Sequence, residues 1–341
     1  MEISKLQKQL KEKKKIVITT HQKPDADALG SSLALLSYLR KNGHQVHVIT
    51  PTDYPEFLFW MEGNSEVIIY TEKKELSASL MSDADYIYCL DFSQLGRINE
   101  LGELVRNSSA VKILIDHHQE PEDFAAYELW DTKASSTAEL IYDYISLNND
   151  LDLIDKGISE CIYAGIVTDT GSFRFPSTSK HVHLIIADLM EKGLDHSKVH
   201  SLVYDDNTES RLRLLGYFLS EKLVVLPELH TAYFTITEEE LNRFNYKTGD
   251  TEGIVNYALS MRGIVFAGIF MEKEDMIKIS LRSVGSFSAA EFSRINFCGG
   301  GHYNAAGGKS DDSLQETEQR FLKLVSEQHE NLKLAFNNSL T

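Results

Sequence analysis

Cysteine is scarce in this sequence. Cys89, Cys161 and Cys298 are the only three in 341 residues, and no C-x-x-C pair brings two thiols together along the chain. The pattern predicts neither a disulfide framework nor a cysteine-ligated zinc site. A metal ion would therefore have to be held by oxygen and nitrogen ligands.

Long apolar runs are missing as well. No stretch approaches the roughly 20 apolar residues that a membrane-spanning helix needs. The opening segment MEISKLQKQLKEKKK is basic, but no apolar run follows it as in a signal peptide, so its lysines are better interpreted as part of a solvated first helix. We expect a cytoplasmic protein without a membrane partner.

Positive charge is the third deficit. The 34 Lys and Arg residues are outnumbered by 51 Asp and Glu residues, which gives a net charge of −17. Proteins that wrap long nucleic acids usually carry a basic stripe, so we expect no long duplex partner, and a nucleic-acid substrate should be short or meet a local basic patch. The 42% hydrophobic content is that of a globular protein, and 341 residues favour two domains.

The first half of the chain alternates short apolar runs with helical patterns, which predicts an α/β domain with a mostly parallel sheet. The runs interpreted as buried strands are KKIVITT, GHQVHVIT, EVIIYT, ADYIYCLD and VKILIDHH. Helices are expected in SSLALLSYLRKNG, RINELGELVRN and SSTAELIYDYI. In the last of these, Ser136 and Glu139 have the spacing of a capping box.

The second half has a different pattern and predicts a smaller α+β domain. Its expected strands are LVVLP, TAYFTIT, VFAGIFME and MIKISLRS. Helices are expected near GIVNYALSM and AAEFSRI, and SLQETEQRFLKLVSEQ is expected to close the chain. We assign residues 1–185 to the first domain, 186–221 to a helical connector and 222–341 to the second domain.

The first candidate site is HQKPDADALGSS, which directly follows the strand KKIVITT. It places His21, Asp25 and Asp27 at the carboxyl end of a strand, where open α/β sheets bind ligands. Helix capping would explain one aspartate but not two aspartates and a histidine. An EF-hand calcium loop does not fit, because Leu29 and Leu36 occupy positions where that loop needs oxygen ligands.

Three further candidates follow along the chain. Asp91 ends the strand YIYCLD, the trio Asp116, His117 and His118 ends VKILI, and Asp169 follows the apolar run ISECIYAGIV. Asp91 alone could be a turn former, and Asp169 alone could be a helix cap. Such local roles do not explain the joint placement, because three of the four sites end predicted strands of one sheet and Asp169 follows a predicted buried helix that could pack over the same edge.

Convergence of these candidates would bring four carboxylates together, those of Asp25, Asp27, Asp91 and Asp169. Like charges at close range cannot all stay ionised unless cations neutralise them. The oxygen and nitrogen ligands favour manganese, then magnesium, and zinc is possible. Two such ions form the clamp used for in-line displacement at phosphorus.

The second half contributes CGGGHYNAAGG, in which His302 can donate a hydrogen bond. Three glycines before it allow a ligand to approach the backbone closely: Gly299, Gly300 and Gly301. Arg262 and Arg282 lie near predicted strand ends, and arginine is the usual partner of phosphate. Each arginine alone could instead be a surface residue with a solvent-side ion pair.

Taken together, these motifs resemble those of the DHH phosphoesterases. HQKPDADALGSS, the strand end at Asp91, DHH at 116–118 and GIVTDTGSF match the motif series of that family in order, and CGGGHYNAAGG is similar to the signature of its DHH-associated C-terminal domain. The motifs span roughly residues 16–310. The compact two-domain build is similar to the nanoRNase type. One departure is Cys298, where the family often has another glycine.

The resemblance implies a role for each matching residue. The residues implied for one metal ion are His21, Asp25 and Asp91, and those for the other are Asp27, Asp91, His117 and Asp169. Asp116 would orient its neighbours, and His118 would face the scissile phosphate. The residues implied for gripping the far phosphate or base are Arg262, Arg282, Gly300, Gly301 and His302.

The same resemblance implies two Mn²⁺ ions, with Mg²⁺ possible, and often a homodimer from a bacterium or an archaeon. The expected reaction releases nucleoside 5′-monophosphates from short oligoribonucleotides, or AMP and phosphate from 3′-phosphoadenosine 5′-phosphate (pAp). A phosphodiesterase for cyclic dinucleotides, or for linear dinucleotides derived from them, is an alternative, although it would normally carry membrane and sensor segments. A non-catalytic nucleotide-binding protein is another, although it would have lost metal ligands. A Rossmann dehydrogenase does not fit, because no G-x-G-x-x-G follows the first strand.

Overall fold

The computed structural model describes residue 6 and residues 9–339, which form two compact units that divide between Asp206 and Asn207. The solvated first helix predicted at the start of the chain falls for the most part outside the described residues. None of the helices in the described part combines the length and apolarity that crossing a bilayer would require.

The first unit contains six strands and seven α-helices among its described residues. The strands are β1 (Lys15–Thr20), β2 (Gln45–Thr50), β3 (Ile68–Ile69), β4 (Tyr86–Leu90), β5 (Val111–Asp116) and β6 (Tyr127–Trp130). The helices are α1 (Ala26–Lys41), α2 (Lys74–Ser82), α3 (Glu100–Asn107), α4 (Thr137–Leu147), α5 (Lys156–Asp169), α6 (Lys180–Glu191) and α7 (His196–Tyr204).

The strands form one parallel sheet in the order β3-β2-β1-β4-β5-β6. The chain proceeds outward in one direction from β1 and in the other direction from β4, so the order reverses between these two neighbours. A crevice opens at the carboxyl ends of the strands at such a reversal. The predicted α/β architecture with a mostly parallel sheet is therefore confirmed, and the ends of β1, β4 and β5 lie side by side.

Helix α1 packs against α4 and α5 close to these strand ends. A Cβ atom on Gly30 of α1 would lie 2.4 Å from the carbonyl oxygen of Cys161 in α5. Gly30 therefore allows the backbones of two helices to approach each other closely. Helices α6 and α7 add buried side chains to the same core, including Val182, Ile185 and Val199.

Two details of the first sheet differ from the sequence prediction. The run EVIIYT forms only the two-residue strand β3, because a turn begins at Tyr70. Strand β6 was not predicted. Its four residues are half-buried or exposed at the sheet edge, so they lack the continuous apolar pattern of the inner strands.

The second unit contains a mixed six-stranded sheet in the order β11-β12-β10-β9-β8-β7. Its strands are β7 (Leu223–Leu226), β8 (Thr231–Ile236), β9 (Phe266–Lys273), β10 (Met276–Ser283), β11 (Gly300–His302) and β12 (Ala305–Ser310). Its helices are α8 (Glu209–Tyr217), α9 (Glu238–Arg243), α10 (Ile254–Leu259), α11 (Ala289–Asn296), α12 (Leu314–Glu327) and α13 (His329–Ser339). Among the described strands of this unit, only β8 and β9 pair in parallel.

The second domain is α+β as predicted, with one correction. SLQETEQRFLKLVSEQ forms α12 but does not close the chain, since α13 follows it. Residues of the segment CGGGHYNAAGG enter the short hairpin of β11 and β12. The buried core of this unit includes Phe266 and Phe270 on one side of β9 and Ile269 and Met271 on the other.

Candidate metal centre

His21, Asp25 and Asp27 lie where β1 gives way to α1. Asp25 is the N-cap of the helix, and its Oδ1 accepts hydrogen bonds from the amides of Asp27 at 3.1 Å and Ala28 at 3.0 Å. The capping interpretation is therefore correct for Asp25, yet its Oδ2 also lies 3.8 Å from His21 Nε2. Asp27 is fully buried in the first helical turn. One short segment thus supplies three side chains to the crevice.

Asp91 lies at the end of β4 and is only 2% exposed. Its φ of 63° is in the left-handed region, where residues other than glycine are uncommon. Its amide donates to the carbonyl oxygen of Ile115 in β5 at 3.2 Å, which keeps the turn tied to the sheet. This backbone directs the Asp91 carboxylate into the crevice.

The two oxygens of Asp91 face two different histidines. Oδ2 lies 3.4 Å from His21 Nε2, and Oδ1 lies 3.5 Å from His117 Nε2. His117 Nε2 is also 3.5 Å from Asp169 Oδ2 and 3.8 Å from Asp27 Oδ2. The structure therefore brings together two donor groups, and the Asp91 carboxylate lies between them.

In each of these two groups, the donor atoms of three side chains all lie within 4.8 Å of one another. The first set is His21, Asp25 and Asp91, and the second is Asp27, His117 and Asp169. Asp169 is the last residue of α5, the buried helix that the run ISECIYAGIV predicts. All six residues proposed from the sequence as metal ligands are thus in one place.

His118 and Asp116 form a third pair beside this cluster. His118 Nδ1 lies 2.8 Å from Asp116 Oδ1, and both side chains are buried. Nδ1 is also 3.7 Å from Asp91 Oδ1. Because the Asp116 carboxylate engages Nδ1, it fixes the orientation of the ring.

Sequence reasoning missed Thr137, the first residue of α4. Its amide donates to Asp27 Oδ2 at 2.7 Å, and its hydroxyl donates to Asp91 Oδ1 at 2.9 Å. The amide of Ala138 donates to Asp27 Oδ1 at 2.8 Å. The only signal was the capping pattern SSTAEL, which predicts the start of a helix but not what its free amides bind. Ser136 does cap α4 through the Glu139 amide at 3.1 Å.

The charges of the centre shift the pKa values of its groups in opposite directions. Burial raises the pKa of Asp27 well above its usual value, and the charges of Asp91 and Asp25 add to the effect. Burial and the charges of Asp27 and Asp25 also raise the pKa of Asp169 well above its usual value. Burial opposes ionisation of Asp91, but contacts with His117 and His21 hold its pKa well below the usual value.

Both imidazoles respond to the surrounding carboxylates. Burial lowers the pKa of His21, but contacts with Asp91 and Asp25 outweigh it and raise the pKa to about 9. The pKa of His117 is likewise raised to about 9, because the contact with Asp91 outweighs burial. Without a cation, protons bound to the histidines and aspartates of this centre offset the negative charge of its carboxylates.

The donor set fits a divalent cation. Among the described residues, Asp116 Oδ2 is a buried atom that has no hydrogen-bond partner, a situation that is costly unless another ligand is bound. Carboxylate oxygens and imidazole nitrogens suit manganese, magnesium or zinc. Two of the three cysteines, Cys89 and Cys161, are buried within apolar clusters of the same unit rather than in the crevice.

In the second unit, Arg282 and His302 share one register position. Both Arg282 of β10 and His302 of β11 pair with Ala305 of the intervening strand β12. Gly300 and Gly301 belong to β11, directly after Gly299. Arg262 is exposed in the turn that precedes β9. The structure therefore places Arg282 on the same sheet as the glycine–histidine segment, whereas Arg262 lies in the turn before β9.

Comparison with known proteins gives matches in both units. The family described as DHH family, N-terminal domain, matches residues 15–166, and the DHHA1 domain matches residues 229–331. A probable bifunctional oligoribonuclease and PAP phosphatase NrnA of Streptococcus mutans is 29% identical, over 91% of this chain and 93% of that protein. A cyclic-di-AMP phosphodiesterase PdeA of Listeria monocytogenes is 23% identical over 94% of this chain but only 48% of that protein.

A solved structure is similar over almost the whole chain. It is an exopolyphosphatase-related protein from Bacteroides fragilis, with a TM-score of 0.93 and 40% identity. The match covers 97% of each chain.

Proposed function

Because this chain belongs to the DHH family of phosphoesterases, we propose that it hydrolyses short oligoribonucleotides to nucleoside 5′-monophosphates, and pAp to AMP and phosphate. The observation that carries the proposal is the position of Asp91, whose two oxygens lie 3.4 Å from His21 Nε2 and 3.5 Å from His117 Nε2. A carboxylate placed between two donor groups would serve a pair of cations, and such pairs are used for in-line displacement at phosphorus. The Streptococcus mutans relative bears both activities in its name and supports this choice of substrates.

We propose two Mn²⁺ ions, with Mg²⁺ as the second choice. One would be held by His21, Asp25 and Asp91, and the other by the remaining ligands, which are Asp27, Asp91, His117 and Asp169. When bound, such ions neutralise charge on the phosphoryl oxygens. Asp27 would keep its orientation through the amides of Thr137 and Ala138, at 2.7 Å and 2.8 Å.

His118 would act on the phosphate itself. The contact of Nδ1 with Asp116 Oδ1, at 2.8 Å, holds the proton on Nδ1 and turns the opposite nitrogen, Nε2, away from the carboxylate. We propose that Nε2–H donates a hydrogen bond to a phosphoryl oxygen and stabilises its negative charge as the oxygen of water bonds to phosphorus and the P–O ester bond breaks. Arg282 and His302 of the second unit would bind the far phosphate or base. Arg262 and the glycines are proposed to assist them: Gly299, Gly300 and Gly301.

The substrate class can be tested with the purified full chain and Mn²⁺. The panel comprises an RNA dinucleotide, pAp, a cyclic dinucleotide, pyrophosphate and polyphosphate, with products separated by chromatography and a chelator as control. We expect chelator-sensitive release of mononucleotide from the dinucleotide and of AMP from pAp. If the protein hydrolyses only the cyclic dinucleotide, pyrophosphate or polyphosphate, the proposed substrates are wrong. If it hydrolyses none of the five substrates with any of several metals, a non-catalytic nucleotide-binding protein is favoured.

The bridging position of Asp91 gives a sharper prediction. Asp91→Ala should abolish hydrolysis, with a loss of at least about 1000-fold, because one carboxylate serves both donor groups. The matched control is Asp143→Ala, since the Asp143 side chain pairs with His181 at 2.8 Å outside the centre and its loss should leave turnover unchanged. Circular dichroism should show both variants folded. Activity that survives in Asp91→Ala would mean that the metal site is wrongly assigned.

A cytoplasmic location and a homodimer remain predictions from the sequence. The homodimer can be checked by multi-angle light scattering of the full chain, which should give twice the 38.6 kDa of one chain.

A further inference from the structure

Trp130 is a large aromatic side chain that stays open to solvent beside the metal centre. It is the last residue of β6 and is 41% exposed. The only other tryptophan of the chain, Trp60, is half-buried and packs against the core of the first unit. Single exposed apolar residues are ordinary on protein surfaces. Exposure alone therefore does not indicate a site, whereas the contacts of the Trp130 indole do.

Strand register places Trp130 next to Asp116. The two residues are paired across β6 and β5, and the amide of Asp131 donates to the carbonyl oxygen of Asp116 at 3.3 Å. Residues paired in neighbouring strands project to the same face of a sheet, and successive residues project to opposite faces. Leu129, which precedes Trp130, packs against the core of the first unit. Trp130 therefore lies on the other face, together with Asp116.

The indole of Trp130 is fixed by a hydrogen bond to His118. Its Nε1 donates to the carbonyl oxygen of His118 at 2.6 Å. The ring of the same histidine is engaged by Asp116, whose Oδ1 lies 2.8 Å from Nδ1. Because the bonded N–H restricts rotation of the indole, an open aromatic surface is held in one orientation beside His118.

Trp130 and the metal ligands lie on different sides of His118. In the sheet order, β5 separates β6 from β4, at whose end Asp91 lies between the two donor groups. A phosphate held at His118 would thus have the proposed cations on one side and a flat aromatic surface on the other. The part of a nucleotide that suits such a surface is the base, because bases stack on aromatic side chains.

Two ordinary roles of Trp130 compete with base stacking. The first is to cover the edge of the sheet, but the pairing with Asp116 directs the side chain from the face of the sheet rather than along its edge. The second is to hold the backbone of His118 through the indole N–H. That role needs the donor but not a large exposed ring, so the two functions can be separated by substitution.

We infer that Trp130 is a stacking platform for the base of the nucleotide whose phosphate is held at His118. The inference rests on the proposed function, which places a phosphate there. It makes Trp130 a determinant of specificity, because nucleotides gain a contact that base-free phosphates such as pyrophosphate and polyphosphate lack. Since every base has a π-face, the platform should accept purines and pyrimidines alike.

Contact with the base can be measured by tryptophan fluorescence of the full chain at constant Mn²⁺. In the variant Trp60→Phe, Trp130 is the only tryptophan that emits. We expect AMP and UMP to quench its emission by stacking, whereas ribose 5-phosphate, which has the phosphate but no base, should leave it unchanged. The wild type should show the same contrast with a smaller fractional change, so the measurement does not depend on the folding of Trp60→Phe.

Two substitutions separate stacking from support of His118. Trp130→Gln keeps an N–H donor but loses the ring, and Trp130→Phe keeps an aromatic ring but loses the donor. By isothermal titration calorimetry, Trp130→Gln should weaken AMP binding about tenfold and leave the binding of ribose 5-phosphate unchanged, which also shows that the variant is folded. Trp130→Phe should bind AMP nearly as the wild type does.

The matched control is Leu147→Gln. Leu147 is 49% exposed and ends α4, about 15 Å along the helix from Thr137 at the metal centre. Its substitution removes an exposed apolar side chain of the same unit and should leave AMP binding unchanged.

Equal AMP affinity in the wild type and in Trp130→Gln would overturn the platform. So would a loss in Trp130→Phe that Trp130→Gln does not share, because the indole would then act only through His118. Equal quenching by AMP and by ribose 5-phosphate, or failure of the wild type to bind AMP, would overturn it too. If the wild type hydrolyses none of the proposed substrates but its AMP binding depends on the ring of Trp130, the proposed function fails and the platform stands.

Discussion

Thr137 holds two carboxylates of the metal centre at once. Its amide donates to Asp27 at 2.7 Å and its hydroxyl donates to Asp91 at 2.9 Å. The amide contact survives substitution, since it belongs to the backbone, but the hydroxyl contact depends on the side chain. Residues that orient metal ligands in this way commonly change metal affinity by about 10–100-fold when they are replaced.

We predict that Thr137→Val lowers the affinity for Mn²⁺ about tenfold, because valine keeps the shape but removes the donor to Asp91. Thr137→Ser should remain close to the wild type. Affinity can be measured from free Mn²⁺ by electron paramagnetic resonance, which does not depend on turnover. If the valine variant binds Mn²⁺ as tightly as the serine variant, Thr137 does not position Asp91.

The residues at strand ends could be predicted from the sequence, whereas Thr137 could not. A buried run that stops at Asp91 or at Asp116 predicts polar groups at one sheet edge, because parallel strands share that edge. The contacts of Thr137 join residues 46 and 110 positions apart. No local pattern specifies such contacts, since they arise only when α4 packs beside α1.

At the scale of elements, three helices meet at Asp27. Gly165 of α5 makes the meeting possible, because a Cβ atom there would lie 2.5 Å from Asp27 Oδ1 and 2.6 Å from the Cβ of Ala138. Neither neighbour can move easily, since Asp27 is fully buried and Ala138 is part of α4. The spacing of α1, α4 and α5 thus sets the position of a proposed metal ligand.

We predict that Gly165→Ala lowers the free energy of unfolding by about 1–3 kcal/mol through overpacking and also weakens Mn²⁺ binding. The control is Gly216→Ala in α8, where an added Cβ atom meets nothing within 4 Å. That variant should be stabilised by about 0.5–1 kcal/mol, since alanine favours a helix. Urea denaturation of both variants checks the signs. If Gly165→Ala leaves the free energy of unfolding unchanged, the helices can separate without an energetic cost.

The sequence predicts helices and strands most accurately where burial alone determines the pattern of apolar residues. The inner strands β1, β4 and β5 are nearly continuous apolar runs, as expected for a parallel sheet covered on both faces. The edge strand β6 and the hairpin of β11 and β12 have no such pattern. Their pairing depends on neighbouring strands, and for the hairpin on glycines that ordinarily predict a loop.

At the scale of the whole molecule, the net charge is −17, and burial makes negative charge most costly for the aspartates of the metal centre, of which Asp27 and Asp91 are almost fully buried. The pKa of Asp27 and of Asp169 is raised by burial and by neighbouring carboxylates. The pKa of His21 and of His117 rises to about 9 because contacts with Asp91 outweigh burial. A metal-free centre therefore retains protons that a divalent cation must displace.

The directions of these pKa shifts determine how the stability of the metal-free protein changes with pH. A histidine whose pKa rises from 6.5 to about 9 on folding stabilises the metal-free protein fully below pH 6.5, and this contribution is lost as the pH rises toward 9. The raised pKa values of the two aspartates act in the same direction. Cation binding behaves oppositely, because the ligands must be deprotonated and deprotonation becomes easier as the pH rises.

We therefore predict that the difference in Tm between Mn²⁺-saturated and chelator-treated protein grows from pH 6.5 to pH 8.5. Each tenfold gain in affinity should widen the difference by about 3–6 °C, because it adds about 1.4 kcal/mol to the stability of the folded state. Differential scanning calorimetry at fixed metal concentration measures it, with Asp91→Ala as the variant in which the difference should be small at every pH. A difference that stays constant or shrinks with rising pH would mean that protons and cations do not compete for His21 and His117.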